Sequence, residues 1–224
     1  MNEPLVLGAN VTRRFKQGDV WFDALRPATF FIRAGDRIAI VGPSGSGKST
    51  LLQLIADLDT PSDGVLTWPG LGTSGSLRPR HIGMVFQSAN LLPTLSAIEN
   101  VEVPLRLVGD VTDPVETARV ALASLGLSAI ADKLPDELSG GQAQRVGLAR
   151  AVALKPRLVL ADEPTGQLDQ PTAQRTMDAL LQSLAGSDAA LVVATHDPAV
   201  AQRLQTIWRM DHGQLILPNL ENKS

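Results

Sequence analysis

The eight residues Gly42-Pro43-Ser44-Gly45-Ser46-Gly47-Lys48-Ser49 constrain this chain more than any other stretch. A strand-like run at 36–41, aliphatic from Ile38, enters them and an apolar, helix-patterned run at 50–58 leaves them. The pattern G-x-x-x-x-G-K-[ST] between a buried strand and a helix is that of a phosphate-binding loop. Its glycines let backbone N–H groups turn inward onto phosphate oxygens, an approach that bulkier residues block. The following helix, which includes Thr50, points its positive end at the same anion. Lys48 is expected to reach the β- and γ-phosphates, and the Ser49 hydroxyl to hold Mg²⁺. These eight residues and Thr50 are the expected nucleotide contacts, for ATP or GTP.

The rest of the composition narrows the class. At 224 residues, the chain suits one large α/β domain or a core with a small appended subdomain. A net charge of −3 gives no basic field to attract nucleic acid, so no nucleic-acid partner is expected. The absence of cysteine excludes disulfides, thiolate metal sites and cysteine nucleophiles. No basic-then-apolar leader is visible, so a secretory signal is not expected. No apolar run approaches the ~18 residues of a membrane span. The expectation is a cytoplasmic chain, where nucleoside triphosphates are abundant.

Strand and helix patterns alternate. Strands are expected at 5–11, at 21–32 (broken by Pro27), at 36–41, 81–86, 157–161 and 191–195. Helices are expected at 50–58, 115–131, 142–154, 172–184 and 198–205, and a closing hairpin at 207–210 and 214–217. Pro61-Ser62-Asp63-Gly64 reads as a turn, and the Gly-, Ser- and Pro-rich 68–79 as a loop. The alternation predicts an α/β fold with a mostly parallel sheet and helices on both faces. The helix-rich middle predicts an inserted helical subdomain at 88–155, with a core at 1–87 and 156–217 and a tail at 218–224.

Further residues carry chemistry. The apolar run 158–161 ends in Asp162 and Glu163, and paired carboxylates at the end of a buried strand call for a neutralising cation. Asp162 is placed to hold Mg²⁺, directly or through water. Glu163 is placed to polarise an attacking water. Alone, the pair is a weak signal that a helix cap or a solvated turn also explains; beside a phosphate loop it becomes a strong one. Gln87 and His196 each follow a strand, at the carboxyl edge where open α/β sheets bind ligands. Lys48, Gln87, Glu163 and His196 are expected to converge there. Leu138-Ser139-Gly140-Gly141-Gln142 offers a second glycine nest before a helix. Its simpler reading is a capping box, Ser139 with Gln142. In a chain that already owns a phosphate loop, it suggests action on a nucleotide held by another copy.

With these residues in place, the chain resembles the ATP-binding subunits of ABC transporters over nearly its full length. LSGGQ at 138–142 is similar to the family signature, Gly42 to Ser49 to Walker A, and Leu158 to Asp162 to Walker B. The resemblance implies a phosphate-loop, RecA-like core with an N-terminal antiparallel β piece and an inserted helical subdomain. It implies an ATPase in which Glu163 is the catalytic glutamate and His196 the switch histidine. Gln87 would lie in the Q-loop, touching nucleotide and metal, and Leu168-Asp169 in the D-loop. Phe15 would stack on adenine where the family usually has Tyr. Ser139, Gly140, Gly141 and Gln142 would contact ATP in a head-to-tail dimer with a second copy. Residues 86–94, Glu99-Asn100-Val101 and Pro104-Leu105 narrow the resemblance to the branch of lipoprotein-releasing, macrolide-export and cell-division systems. The cofactors implied are ATP and Mg²⁺, and the second partner is an integral-membrane permease that holds the subunit on the inner face of the membrane. A regulatory ATPase signalling through a membrane partner, and a soluble non-transport ATPase, are the alternative readings. Ala143 after the signature, Gln167 before the D-loop and the short, Gly-rich stretch at 64–80 depart from the family pattern.

Overall fold

The computed structural model describes residues 3–218. Residues 219–224, most of the expected tail, lie outside the described residues, as do 1 and 2. In chain order the strands are β1 (Val6–Gln17), β2 (Val20–Ile32), β3 (Arg37–Val41), β4 (Asp63–Thr67), β5 (Ile82–Val85), β6 (Leu158–Asp162), β7 (Ala190–Thr195), β8 (Thr206–Asp211) and β9 (Gln214–Ile216). The helices are α1 (Lys48–Ile55), α2 (Ala97–Val108), α3 (Pro114–Ser124), α4 (Gly140–Val152), α5 (Gln170–Ser183) and α6 (Pro198–Ala201). The chain divides into two compact units, one of residues 1–77 with 190–224 and one of residues 78–189.

The first unit holds two layers of β structure. β2, β1 and β4 form an antiparallel sheet in that order. β3 lies parallel to both β7 and β8, and β9 returns antiparallel on β8. β7 is buried at every position and β3 at Ile38, Ala39 and Ile40. Such unbroken apolar runs mark parallel strands covered on both faces. The Phe30 ring packs 5.7 Å from that of Trp208, and the indole of Trp68 donates to the Ile55 carbonyl at 2.9 Å, closing the core.

Two expectations are corrected here. Pro27 does not break β2; the strand runs through it. β2 is an edge strand, and the pairing to β1 shifts register between Val11↔Ala28 and Arg13↔Leu25, so a residue without an N–H is tolerated there. Asp63 and Gly64 do not merely turn: they open β4, which pairs with β1 through Thr12↔Asp63 and Ala9↔Val65.

In the second unit β5 and β6 pair in parallel, Ile82↔Leu158 through Val85↔Ala161. The helix expected over 115–131 ends at Ser124, because Gly126 turns the chain left-handed (φ 69°), and a short 3₁₀ turn follows at Ser128–Ile130. α2 begins with a capping box between Ser96 and Glu99. Its Asn100 is fully buried. The side chain accepts from the Leu92 amide at 2.7 Å and donates to the carbonyls of Leu92, Leu95 and Ser96 at 3.1, 2.9 and 3.0 Å. One amide group thus pins the chain entering α2. Asn100→Ala would leave those buried backbone groups without partners. It is expected to lower stability by about 2–4 kcal/mol, read as a fall in the urea midpoint at unchanged slope.

Candidate functional site

In the first unit, the register of the parallel strands gathers two candidate residues. Val41 of β3 faces Thr195 of β7, so Gly42 and His196 each stand one residue beyond the same sheet edge. The loop between β3 and α1 turns on Gly45 (φ 76°) and Gly47 (φ 103°). Gly47 caps α1, and a Cβ there would lie 2.3 Å from the Ala24 carbonyl oxygen, so no side chain fits. Lys48 is 4% exposed, and its Nζ donates to the carbonyls of Gly42 and Pro43 at 2.9 and 3.0 Å, which hold the ammonium at the centre of the loop. No acidic residue lies in the first turn of α1 to oppose an anion. Ser46 Oγ is buried with no hydrogen-bond partner among the described residues. A buried hydroxyl, an ammonium and a helix start with left-handed glycines form a donor set that fits a polyphosphate.

Phe15, the expected adenine platform, is half-buried in β1. Its ring lies 5.6 Å from that of Phe22, its cross-strand partner, and the Arg13 guanidinium sits 4.6 Å from its centroid. Asp59 fixes that guanidinium through a 2.7 Å ion pair to Arg13 Nε. His196 is exposed and precedes the short α6, whose cap is Asp197.

In the second unit the same logic places Gln87 beside Glu163. Val85 pairs with Ala161, so each of these residues lies two positions beyond a matched pair. Both side chains border Gly166: a Cβ there would stand 3.3 Å from Glu163 Oε2 and 3.6 Å from Gln87 Nε2. Glu163 itself adopts φ 44°, a conformation that few residues other than Gly, Asn and Asp take. Asp162 is the last residue of β6 and half-buried. Among the described residues no three acidic, histidine or cysteine side chains gather into a metal cage. Asp162 and Gln87 bring a carboxylate and an amide oxygen, the kind of hard oxygen ligand that an ion such as Mg²⁺ takes.

The signature forms the simpler of its two readings, a capping box at the start of α4. Ser139 caps α4: its Oγ accepts from the Gln142 amide at 3.3 Å, and Gln142 Oε1 accepts from the Ser139 amide at 2.9 Å. The capping box is therefore present, and Gly140 remains exposed at the helix start. Asp169 caps α5 through the Thr172 amide at 2.9 Å. Hydrogen bonds from the Thr172 amide and then its hydroxyl hold the Asp169 carboxyl below the usual carboxylate range.

Sequence reasoning missed the braces behind Gln87. Gln144 Nε2 donates to the Phe86 carbonyl at 2.9 Å, and Arg150 donates to the carbonyls of Ala89 and Asn90 at 2.7 and 2.9 Å. Burial pushes the Arg150 guanidinium below its ordinary pKa. The only signal in the sequence was a polar residue at two positions of an otherwise apolar helix face.

The fold and loop define a phosphate-loop α/β protein. A family model described as ABC transporter matches residues 25–166. The chain is 42% identical over 224 residues to a lipoprotein-releasing system ATP-binding protein LolD of Novosphingobium aromaticivorans, covering 96% of this chain and all of that one. It is also 42% identical to the LolD of Chromohalobacter salexigens, covering 96% of this chain and 94% of the relative. Among solved structures, the dimeric post-hydrolysis state of the ATP-binding cassette MJ0796, bound to ADP and Pi, superposes with a TM-score of 0.85 at 36% identity. It covers 94% of this chain and 96% of that one. This chain belongs to the ABC transporter family.

Proposed function

We propose that this chain is the ATP-hydrolysing motor subunit of a lipoprotein-releasing ABC system. It works through a separate integral-membrane permease at the inner face of the cell membrane. Two copies meet head to tail, and each offers Ser139, Gly140, Gly141 and Gln142 to the nucleotide of the other. The amides of residues 42–50 and Lys48 bind the phosphates, and Phe15 stacks on adenine. Ser49, Asp162 and Gln87 would hold Mg²⁺, which would supply positive charge to offset the negative charge developing on the phosphates.

Glu163 accepts the proton of a water that attacks the γ-phosphorus. The bond to the β-phosphate oxygen breaks, leaving ADP and inorganic phosphate, and His196 donates a hydrogen bond to a γ-phosphate oxygen. Gln87 and the helical segment behind it would pass closure of the dimer to the permease. No helix of the described residues is long and apolar enough to cross a membrane, which fits a motor that borrows its membrane path.

The observation that carries this reading is the extent of similarity: 42% identity over 96% of the chain and the whole of a lipoprotein-releasing relative. The left-handed Glu163 beside Gln87 supports the hydrolytic part. The test is purification of the chain with its permease from solubilised membranes, followed by reconstitution in vesicles loaded with a lipid-anchored protein. ATP should release that protein into solution. Hydrolysis without release would favour a signalling role, and failure to recover any permease would favour a soluble ATPase.

A further inference from the structure

Thr172 carries more contacts than a helix cap needs. It is the third residue of α5, and its amide already satisfies the cap by donating to Asp169 Oδ1 at 2.9 Å. α3 is capped by the same kind of bond, from the Glu116 amide to Asp113, with a residue in that place that bears no hydroxyl. At Thr172 the hydroxyl is engaged on both sides. It donates to Asp169 Oδ2 at 2.9 Å and accepts from Arg175 Nη2 at 2.9 Å.

A hydroxyl that both donates and accepts fixes its own torsion, and in a β-branched residue that also fixes the methyl group. The methyl points at the signature. A Cβ on Gly141 would lie 2.4 Å from Thr172 Cγ2, so the methyl rests directly on the backbone of the second residue of α4. Gly141 is buried there while its neighbour Gly140 is exposed.

We propose that Thr172 is a positioning residue that locks the loop carrying Asp169 to the signature turn at 139–141, so that the two move as one piece. The proposal rests on the ATP-sandwich reading above, in which both segments meet the second copy. The hydroxyl reads the position of Asp169, and the methyl passes it to Gly141. A signature held this way presents its amides to the second copy's nucleotide at a set angle, with less disorder to lose on closure.

Two conservative variants separate the two halves of the lock. Thr172→Val keeps the methyl group and replaces the hydroxyl with a second methyl. Thr172→Ser keeps the hydroxyl and loses the methyl contact with Gly141. Both are made in a Glu163→Gln parent, and circular dichroism confirms folding. Dimerisation at saturating ATP is followed by analytical ultracentrifugation, and binding of ATP itself by equilibrium dialysis at concentrations too dilute for dimers. Each variant is expected to raise the dimer dissociation constant about tenfold while shifting ATP affinity by less than about twofold, and Thr172→Ala is expected to be no worse than either. If Thr172→Ser dimerises like the parent, the methyl passes nothing to the signature and the proposal is overturned. Equal losses in dilute ATP binding would also overturn it, since the effect would then be general. If the Glu163→Gln parent itself stays monomeric with ATP, the sandwich reading fails and the proposal falls with it.

Discussion

Glu163→Gln is expected to slow ATP hydrolysis by about 10²–10⁴-fold while leaving ATP binding intact. The substitution preserves size and hydrogen-bonding reach, so the packing of the side chain beside Gly166 and Gln87 is retained. What it removes is an oxygen able to take a proton from water. The backbone reinforces the assignment. A non-glycine residue at φ 44° carries a conformational penalty of about 1–3 kcal/mol, and such strain persists where surrounding structure imposes it for function. Glu and Gln bear that penalty equally, so a change in rate reports the proton and not the turn. Single-turnover phosphate release measures the rate, and gel filtration with ATP should show a dimer that persists for the length of the run. A parental rate would place the base elsewhere.

Lys48→Ala is expected to fail at an earlier step. Lys48 is nearly enclosed, and its ammonium is held by two carbonyls of its own loop. Its loss removes the positive charge of the loop and takes a donor from those two carbonyls. A charge-assisted hydrogen bond contributes about 1.5–3 kcal/mol, so ATP affinity should fall about ten- to a hundredfold or more. Equilibrium dialysis with ATP measures this directly, and dimer formation should fall with it. Undiminished affinity would contradict the phosphate-loop assignment. The two variants thus divide the cycle: one binds and cannot finish, the other cannot begin.

The parts of the fold that the sequence displayed best were those where chemistry and burial agree. Gly47 and Lys48 had to follow a buried strand and start a helix, and β3 and α1 do so. β7, buried throughout, could be read from its unbroken aliphatic run. Legibility failed where a partner strand decides the outcome. Asp63-Gly64 carries a turn signal, and only pairing with β1 makes it strand. Pro27 carries a break signal, and only its place on an edge makes it harmless. In the site, the residue types of Gln87 and Glu163 were visible, but the common register that sets both side chains at Gly166 was not. Thr172, Gln144 and Arg150 escaped notice for a related reason. Each touches a segment distant in sequence, and the local pattern of a helix does not name that partner.

The grip of α4 on residues 86–90 has a mechanical corollary. Gln144 and Arg150 hold the carbonyls of Phe86, Ala89 and Asn90 from two turns of one stiff rod, whose far end begins at Ser139. The rod spans about 20 Å at 1.5 Å per residue. Any displacement of that segment would therefore be felt along the helix as far as the glycines at its start.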